Sequence, residues 1–302
     1  MNRWIKVSVP SVLGLALVAG AALVIGAQLG DRKMHRQVAL NVATVPYLTD
    51  AASVERGRYL FMSRGCTACH GVDGAGADVV NDGKGMLVHA PNITPVAGGV
   101  VAMYRPVDWV RTIRHGVKPN GEPAQVMPSE DYNRLTDADV AAMVAWLRQM
   151  PAVQGPGATV QLPMLVKTLY AVGIVHDSAE TIDHTLTPSQ PVAEATTAAH
   201  GAYVANGCIG CHGATLAGGK IPGAPPEWPA AANLTPGPGS AMTRYPDAQA
   251  FAAMLRTGKR PDGSAVSTVM PFIALMEMND IDVQAIYLHL KALPPLPSGQ
   301  RD

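Results

Sequence analysis

The chain has 302 residues, long for one domain and enough for two of ordinary size, each able to bury a core. Lys plus Arg and Asp plus Glu both number 23, so the formal charge is zero, which argues against the basic surface that a nucleic-acid partner would need. Aromatic residues make up 5% of the whole, with three Phe and four Trp, too few to fill two interiors without some other apolar body.

From Val7 to Gly30 there is no charged residue, and the run is long enough to span a bilayer. The rival reading is a cleaved signal peptide with Ala19-Gly20-Ala21 as its small-residue site; against it, the apolar run continues through Leu23, Val24 and Ile25. Residues 1–31 are therefore read as an uncleaved membrane anchor. Arg3 and Lys6 precede the span while Arg32, Lys33 and Arg36 follow it, so the flanking charges do not orient it.

Cys66-Thr67-Ala68-Cys69-His70 comes next, and Cys208-Ile209-Gly210-Cys211-His212 recurs later; together they use all four cysteines. On one helical turn residues i, i+3 and i+4 share a face, so two thiols can bond a porphyrin edge while the histidine reaches its iron. Two disulfides, two redox pairs or a four-cysteine zinc site would not require that histidine. Each pentapeptide is read as a covalent haem c attachment site, with Cys66, Cys69, Cys208 and Cys211 as thioether positions and His70 and His212 as iron ligands. Two haems would also supply the apolar bulk that the scarce aromatics do not. Haem c is attached outside the bacterial inner membrane, so the body after Gly30 is expected in the periplasm.

Laid on itself, the chain matches well beyond these motifs. Asn92-Ile93-Thr94-Pro95 falls on Asn233-Leu234-Thr235-Pro236, Arg114 and Gly116 on Arg256 and Gly258, and Met127-Pro128 on Met270-Pro271. The shift drifts by only a residue or two, and it is far longer than a solenoid repeat, so the chain contains a duplicated domain over 52–151 and 196–295. Each copy is expected to open with a short helix holding Gly57 or Gly201, where a missing side chain would let a second helix come close. A middle helix should stop at Gly116 or Gly258, each suited to the residue after a helix end. The closing helices should begin at the caps Thr136 and Asn279, since Val140, Met143, Val144 and Leu147 repeat as Val283, Ile286, Tyr287 and Leu290 at helical spacing. No stretch alternates convincingly as a strand.

Between the copies, residues 152–195 carry no haem motif. Leu162–Val175 is largely apolar, and either packs between the two domains or docks onto a partner subunit; Thr185–Thr197 is rich in Pro, Ser, Thr and Ala and reads as a linker.

The second face of each iron decides what a haem can do: an open face permits ligand chemistry, whereas a methionine closes it and leaves electron transfer. Met127 and Met270 stand at equivalent positions, each before a proline that fixes the backbone beside the sulfur, and are the candidate sixth ligands. Arg114 and Arg256 either meet haem propionates or simply favour helix C-termini. Asn92, Thr94, Asn233 and Thr235 either donate to propionates or build turns. No acid or base is matched to an open iron, so no catalytic residue is assigned.

Taken together, the CxxCHG motifs, Asn-Ile/Leu-Thr-Pro, the glycine after the middle helix, Met-Pro and the Asp-rich closing helix resemble the di-haem and multi-haem cytochrome c subunits of bacterial periplasmic dehydrogenases. The resemblance covers Ala52 to Pro151 and Thr196 to Pro295. It implies an all-α architecture, two tandem class I cytochrome c domains after an N-terminal transmembrane helix, each with His and Met axial ligands. It also implies a relay carrying single electrons from a catalytic partner, such as an alcohol or aldehyde dehydrogenase, toward quinone or a terminal oxidase. The chain departs from the alcohol dehydrogenase subunits in having two haem motifs instead of three and an apparent anchor. The rival expectations are a di-haem enzyme of peroxidase or thiosulfate-oxidising type, and a permanent subunit of a respiratory oxidase or reductase complex.

Overall fold

The computed structural model describes residues 3–225 and 227–301. Helix α1 (Arg3–Met34) contains the one stretch, Ser11–Met34, that among the described residues is long and apolar enough to cross a membrane. Leu13, Leu15, Leu17 and Val18 on it are all exposed, as lipid-facing side chains would be. Residues 36–50 then strap the first unit without regular structure. Val38 N–H donates to Gly121 O (2.8 Å), Arg111 Nη2 to Leu40 O (2.7 Å) and Tyr47 Oη to Tyr104 O (2.9 Å), while Val45 is buried.

The first unit comprises α2 (Ala51–Ser63), α3 (Cys66–His70), strands β1 (Ala77–Asn81) and β2 (Leu87–Ala90), α4 (Pro106–His115) and α5 (Asp137–Gln149). Strand β3 (Thr159–Gln161), α6 (Met164–Ala171) and α7 (Ser178–Thr181) follow. The second unit repeats the plan with α8 (Ala198–Val204), α9 (Ile209–His212), α10 (Ala248–Thr257), α11 (Phe272–Leu275) and α12 (Asp280–Ala292).

The two copies are built by the same local devices. Thr136 accepts from Asp139 N–H (3.1 Å) and Asn279 from Asp282 N–H (2.8 Å), which satisfies donors at the start of α5 and α12. Both α4 and α10 end on left-handed glycines, Gly116 at φ 63° and Gly258 at φ 68°. In each unit the opening helix crosses the closing one at a glycine: a Cβ on Gly57 would lie 1.9 Å from Ala142 O, and one on Gly201 would lie 1.9 Å from Ala285 O. Only hydrogen fits there, as the sequence suggested. One hydrophobic core runs through both units, joining Leu60, Phe61, Val140 and Val144 to Val204, Met242, Val283 and Leu290.

Among the described residues the mostly helical chain forms one small sheet that the sequence did not reveal. Its three antiparallel strands run in the order β1-β2-β3, with Ala77 opposite Ala90 and Leu87 opposite Gln161. The strands are three to five residues long and half-exposed, so they hold too few positions to display a period of two. Among the described residues, the second unit keeps a single bridge at the corresponding place, Gly219 with Ala231.

The apolar half of the inter-unit segment lies against the N-terminal helix instead of between the two units. Thr168 Oγ1 donates to Leu23 O (3.2 Å), Lys167 pairs with Asp31 (2.8 Å), and Lys33 Nζ donates to Tyr170 O (2.9 Å). The polar part, by contrast, is irregular and is tied down by Glu194, which accepts from Arg56 (2.9 Å) and Asn279 (2.8 Å).

Candidate haem-binding sites

Both CxxCH segments form single helical turns, α3 entirely and α9 with the 3-10 turn Ala205–Cys208 before it. A left-handed glycine, Gly71 at φ 73° and Gly213 at φ 81°, ends each one after its histidine. None of the four cysteines is in a disulfide, and among the described residues no three His, Cys, Asp or Glu side chains gather as a metal site. Burial pushes the Cys66 and Cys208 thiols up to about 12, with Cys69 adding to the first and Asp131 to the second. A redox CxxC pair needs the opposite shift, toward thiolate, so the redox-pair reading loses support.

The histidines are held alike. His70 Nδ1 lies 2.9 Å from Pro91 O, and His212 Nδ1 lies 2.8 Å from Ala232 O. A carbonyl can only accept, so Nδ1 carries the proton and Nε2 keeps its lone pair, the arrangement a metal-binding imidazole requires. Burial lowers both histidine pKa values, which keeps the rings neutral.

In the second unit a largely apolar cavity of ≈ 110 Å³ is lined by Cys208, His212 and Met270 together. One attachment thiol, the imidazole and the matched thioether thus face one space, walled by residues such as Leu234, Leu255 and Leu290. Two further methionines that the sequence reading did not weigh, Met242 and Met254, line it too. Met127, in the first unit, packs half-buried against the core, and its carbonyl accepts from Ser178 Oγ (2.6 Å). Trp109, whose counterpart Phe251 lines the second cavity, has a buried Nε1 without an acceptor, and so does Arg114 at Nε. Buried donors lacking a protein partner fit a group that brings its own carboxylates, as haem does.

The remaining candidates have partners of their own. Asn92 Oδ1 accepts from Thr94 N–H (2.8 Å) and Oγ1 (2.7 Å) while Nδ2 donates to Val153 O (2.7 Å). Asn233 and Thr235 repeat the clasp on Leu296 O (2.8 Å). Of the two readings, the turn is the one with observed bonds. Arg114 Nη1 pairs with Asp137 (2.7 Å) and Nη2 donates to Leu135 O (2.6 Å); Arg256 Nη2 pairs with Asp280 (3.0 Å). Both arginines therefore tie the middle helix to the start of the closing one.

The contact between the units passed unnoticed in the sequence. Tyr59 donates to Asp282 (2.6 Å) and accepts from Asn279 N–H (3.1 Å); Tyr203 donates to Asp139 (2.6 Å) and accepts from Thr136 N–H (3.2 Å). Each tyrosine thus reaches across to the N-terminus of the other unit's closing helix, so the duplicated domains meet about a pseudo-two-fold axis. Beside it, Asp131 Oδ1 accepts from Gly210 N–H (3.2 Å), inside the second haem motif, and Tyr132 Oη donates to Arg64 O (3.0 Å), two residues before the first. Consecutive residues after Met127 therefore touch both attachment segments. A signal existed, since Tyr59 and Tyr203 match in the repeat, but tyrosine is too common in cores to be read as an interface without coordinates.

The sequence model of the cytochrome c family matches residues 54–151 and 198–294. The chain is 29% identical over 280 residues to the cytochrome subunit of a fructose dehydrogenase from Gluconobacter japonicus, covering 82% of this chain and 54% of that protein. It is 25% identical over 285 residues to the cytochrome c subunit of a quinone alcohol dehydrogenase from Gluconobacter oxydans (strain 621H), covering 83% and 57%. It is 34% identical over 100 residues to the cytochrome c subunit of a gluconate 2-dehydrogenase from Pantoea cypripedii, covering 32% and 22%. The chain spans little more than half the length of the first two.

Proposed function

We propose, on the premise that this chain belongs to the cytochrome c family, that it relays single electrons between a periplasmic dehydrogenase subunit and the respiratory chain through two haem c groups. Haem iron, when bound, supplies reversible one-electron chemistry. Cys66 and Cys69 would hold one macrocycle and Cys208 and Cys211 the other, with His70 and Met127, and His212 and Met270, as axial pairs. The backbone carbonyls of Pro91 and Ala232 fix each imidazole's tautomer and aim, so little rearrangement accompanies the change of charge. Apolar walls keep water away, and a thioether in the sixth position would exclude small ligands and raise the potential. The protein's part is then to hold, insulate and dock; no side chain is assigned a proton or group transfer.

The observation that carries this reading is the shared cavity of Cys208, His212 and Met270, with the imidazole already turned by its carbonyl. Helix α1 supports anchoring in the bacterial inner membrane with the haem units in the periplasm, and the named relatives support a dehydrogenase as electron donor. The dithionite-reduced protein should show no carbon monoxide difference spectrum at neutral pH. Ready carbon monoxide binding by either haem would overturn the closed-relay reading, and turnover of peroxide or thiosulfate by the chain alone would replace it with an enzyme.

A further inference from the structure

Helix α1 meets α6 at a Gly26-xxx-Gly30 pair, two small residues on one helix face. A Cβ on Gly26 would lie 2.4 Å from Thr168 Cγ2, and one on Gly30 would lie 2.2 Å from Lys167 O, so the Gly26 backbone packs on the Thr168 side chain and the Gly30 backbone on that of α6. Gly30 ends the uncharged run and Gly26 lies one turn inside it, roughly 6 Å deeper along the axis. The depth of α6 is thereby set by α1. Facing away from this contact are Met164, Leu165, Val172 and Ile174, 44%, 60%, 65% and 59% exposed. Such a set of large apolar side chains is costly in water. Three of the charges that follow the span, Asp31, Lys33 and Arg36, are engaged by the same segment: Lys33 with Glu180 (2.8 Å), Asp31 with Lys167 (2.8 Å) and Arg36 with Asp177 (2.6 Å). Apolar side chains flanked by a band of lysines and arginines are the pattern of an element that lies in a membrane interface.

We propose that residues 163–175 lie in the periplasmic head-group region of the bilayer, beside the exit of α1, with lipid covering Met164, Leu165, Val172 and Ile174. The inference rests on the membrane-anchor reading of α1. A dehydrogenase subunit could cover an apolar face equally well, but the depth imposed by Gly26 and Gly30 places this one beside lipid whether or not a partner is present. The consequence is orientation. Arg36 grips Asp177, and Ser178, the next residue, donates to Met127 O (2.6 Å) and accepts from Ser129 N–H (3.1 Å). The first haem unit is therefore clamped to the membrane element through its Met-bearing segment.

The test uses the full-length holoprotein in phosphatidylcholine and phosphatidylglycerol vesicles that contain a photoactivatable phosphatidylcholine, with adducts mapped by mass spectrometry. Lipid adducts are expected on α1 and on the peptide spanning 163–175, the latter at least fivefold above the peptide carrying Met103, an exposed apolar side chain outside this region. The Leu165→Glu/Ile174→Glu double variant should lower the 163–175 yield at least threefold while adducts on α1 persist. Adducts on α1 alone would overturn the inference and leave the anchor standing. Adducts on neither would overturn both, and a 163–175 yield equal to that of the Met103 peptide would show that lipid does not cover this face.

Discussion

His70 and His212 illustrate how much chemistry five residues can carry. The motif marks two imidazoles as candidate iron ligands, and the structure adds a carbonyl behind each ring, from segments 20 or 21 residues downstream that no motif marks. The thioethers were less legible, because methionine is also adaptable core filler, and Met242 and Met254 share the second cavity with Met270. Replacing Met270 with Ala should open that iron, so that the reduced protein binds one carbon monoxide per two haems and one of its two midpoint potentials falls; Met242→Ala and Met254→Ala should leave both readouts unchanged. Carbon monoxide binding by either of those two instead would move the ligand assignment to it.

A second residue-scale expectation concerns pH. Burial, with His184 and Arg114 nearby, depresses His115 to about 4, below its ordinary value of 6.5. The unfolded chain therefore takes up a proton between pH 6.5 and 4 that the folded one refuses, and stability falls as pH drops through that window. His115→Thr, which installs the side chain of the counterpart Thr257, should flatten the decline in melting temperature between pH 7 and 4.5. A slope as steep as that of the wild-type protein would show that other groups dominate it.

At the scale of elements, the caps, the stopping glycines and the amphipathic closing helices could be read directly, because each depends on neighbours within a few positions. The sheet could not: β3 comes from beyond the first unit and completes a hairpin whose strands are too short to show their own period. Gly57 and Gly201 lie between these cases, suggestive in sequence and decisive in space. Gly201→Ala should destabilise the second unit by about 1–3 kcal/mol, since the new methyl meets the backbone of α12, which cannot step aside. Thermal melting should show the loss; no change would mean that α8 can slide. The tyrosines across the interface allow a cleaner experiment. Tyr59→Phe and Tyr203→Phe each remove a bond to a buried aspartate and one from a backbone N–H, at a cost of about 1–3 kcal/mol, while the ring still fills its place. Combined, they should split a single calorimetric transition into two, one per unit. A single transition at lower temperature would show that apolar contacts alone couple the units.

For the molecule as a whole, duplication was legible because it is a relation of the sequence to itself, whereas the arrangement of the copies depends on side chains that meet more than 200 residues apart, such as Tyr59 and Asp282. The seating of the anchor is of the same kind. Arg36 donates two bonds to Asp177 (2.6 and 2.8 Å) and one to Tyr170 (2.6 Å), and the Asp177 side chain is 1% exposed. That pair joins the exit of α1 to the segment that carries Ser178 and, through it, the first haem unit. Arg36→Met keeps the aliphatic stem and strands a buried carboxylate, a change that costs about 3–5 kcal/mol when the remaining charge cannot reach water. The loss should be local: residues 172–185 should become sensitive to limited proteolysis in detergent, and amide exchange there should quicken at least tenfold, while the haem spectra stay as they were. Asp177→Asn leaves the Arg36 guanidinium without its ionic partner, but that side chain is 26% exposed and can reach water, so this variant should produce the smaller effect of the two. If Arg36→Met altered both haem spectra instead, the clamp would be part of the folding core and not a hinge between the anchor and the electron-carrying body.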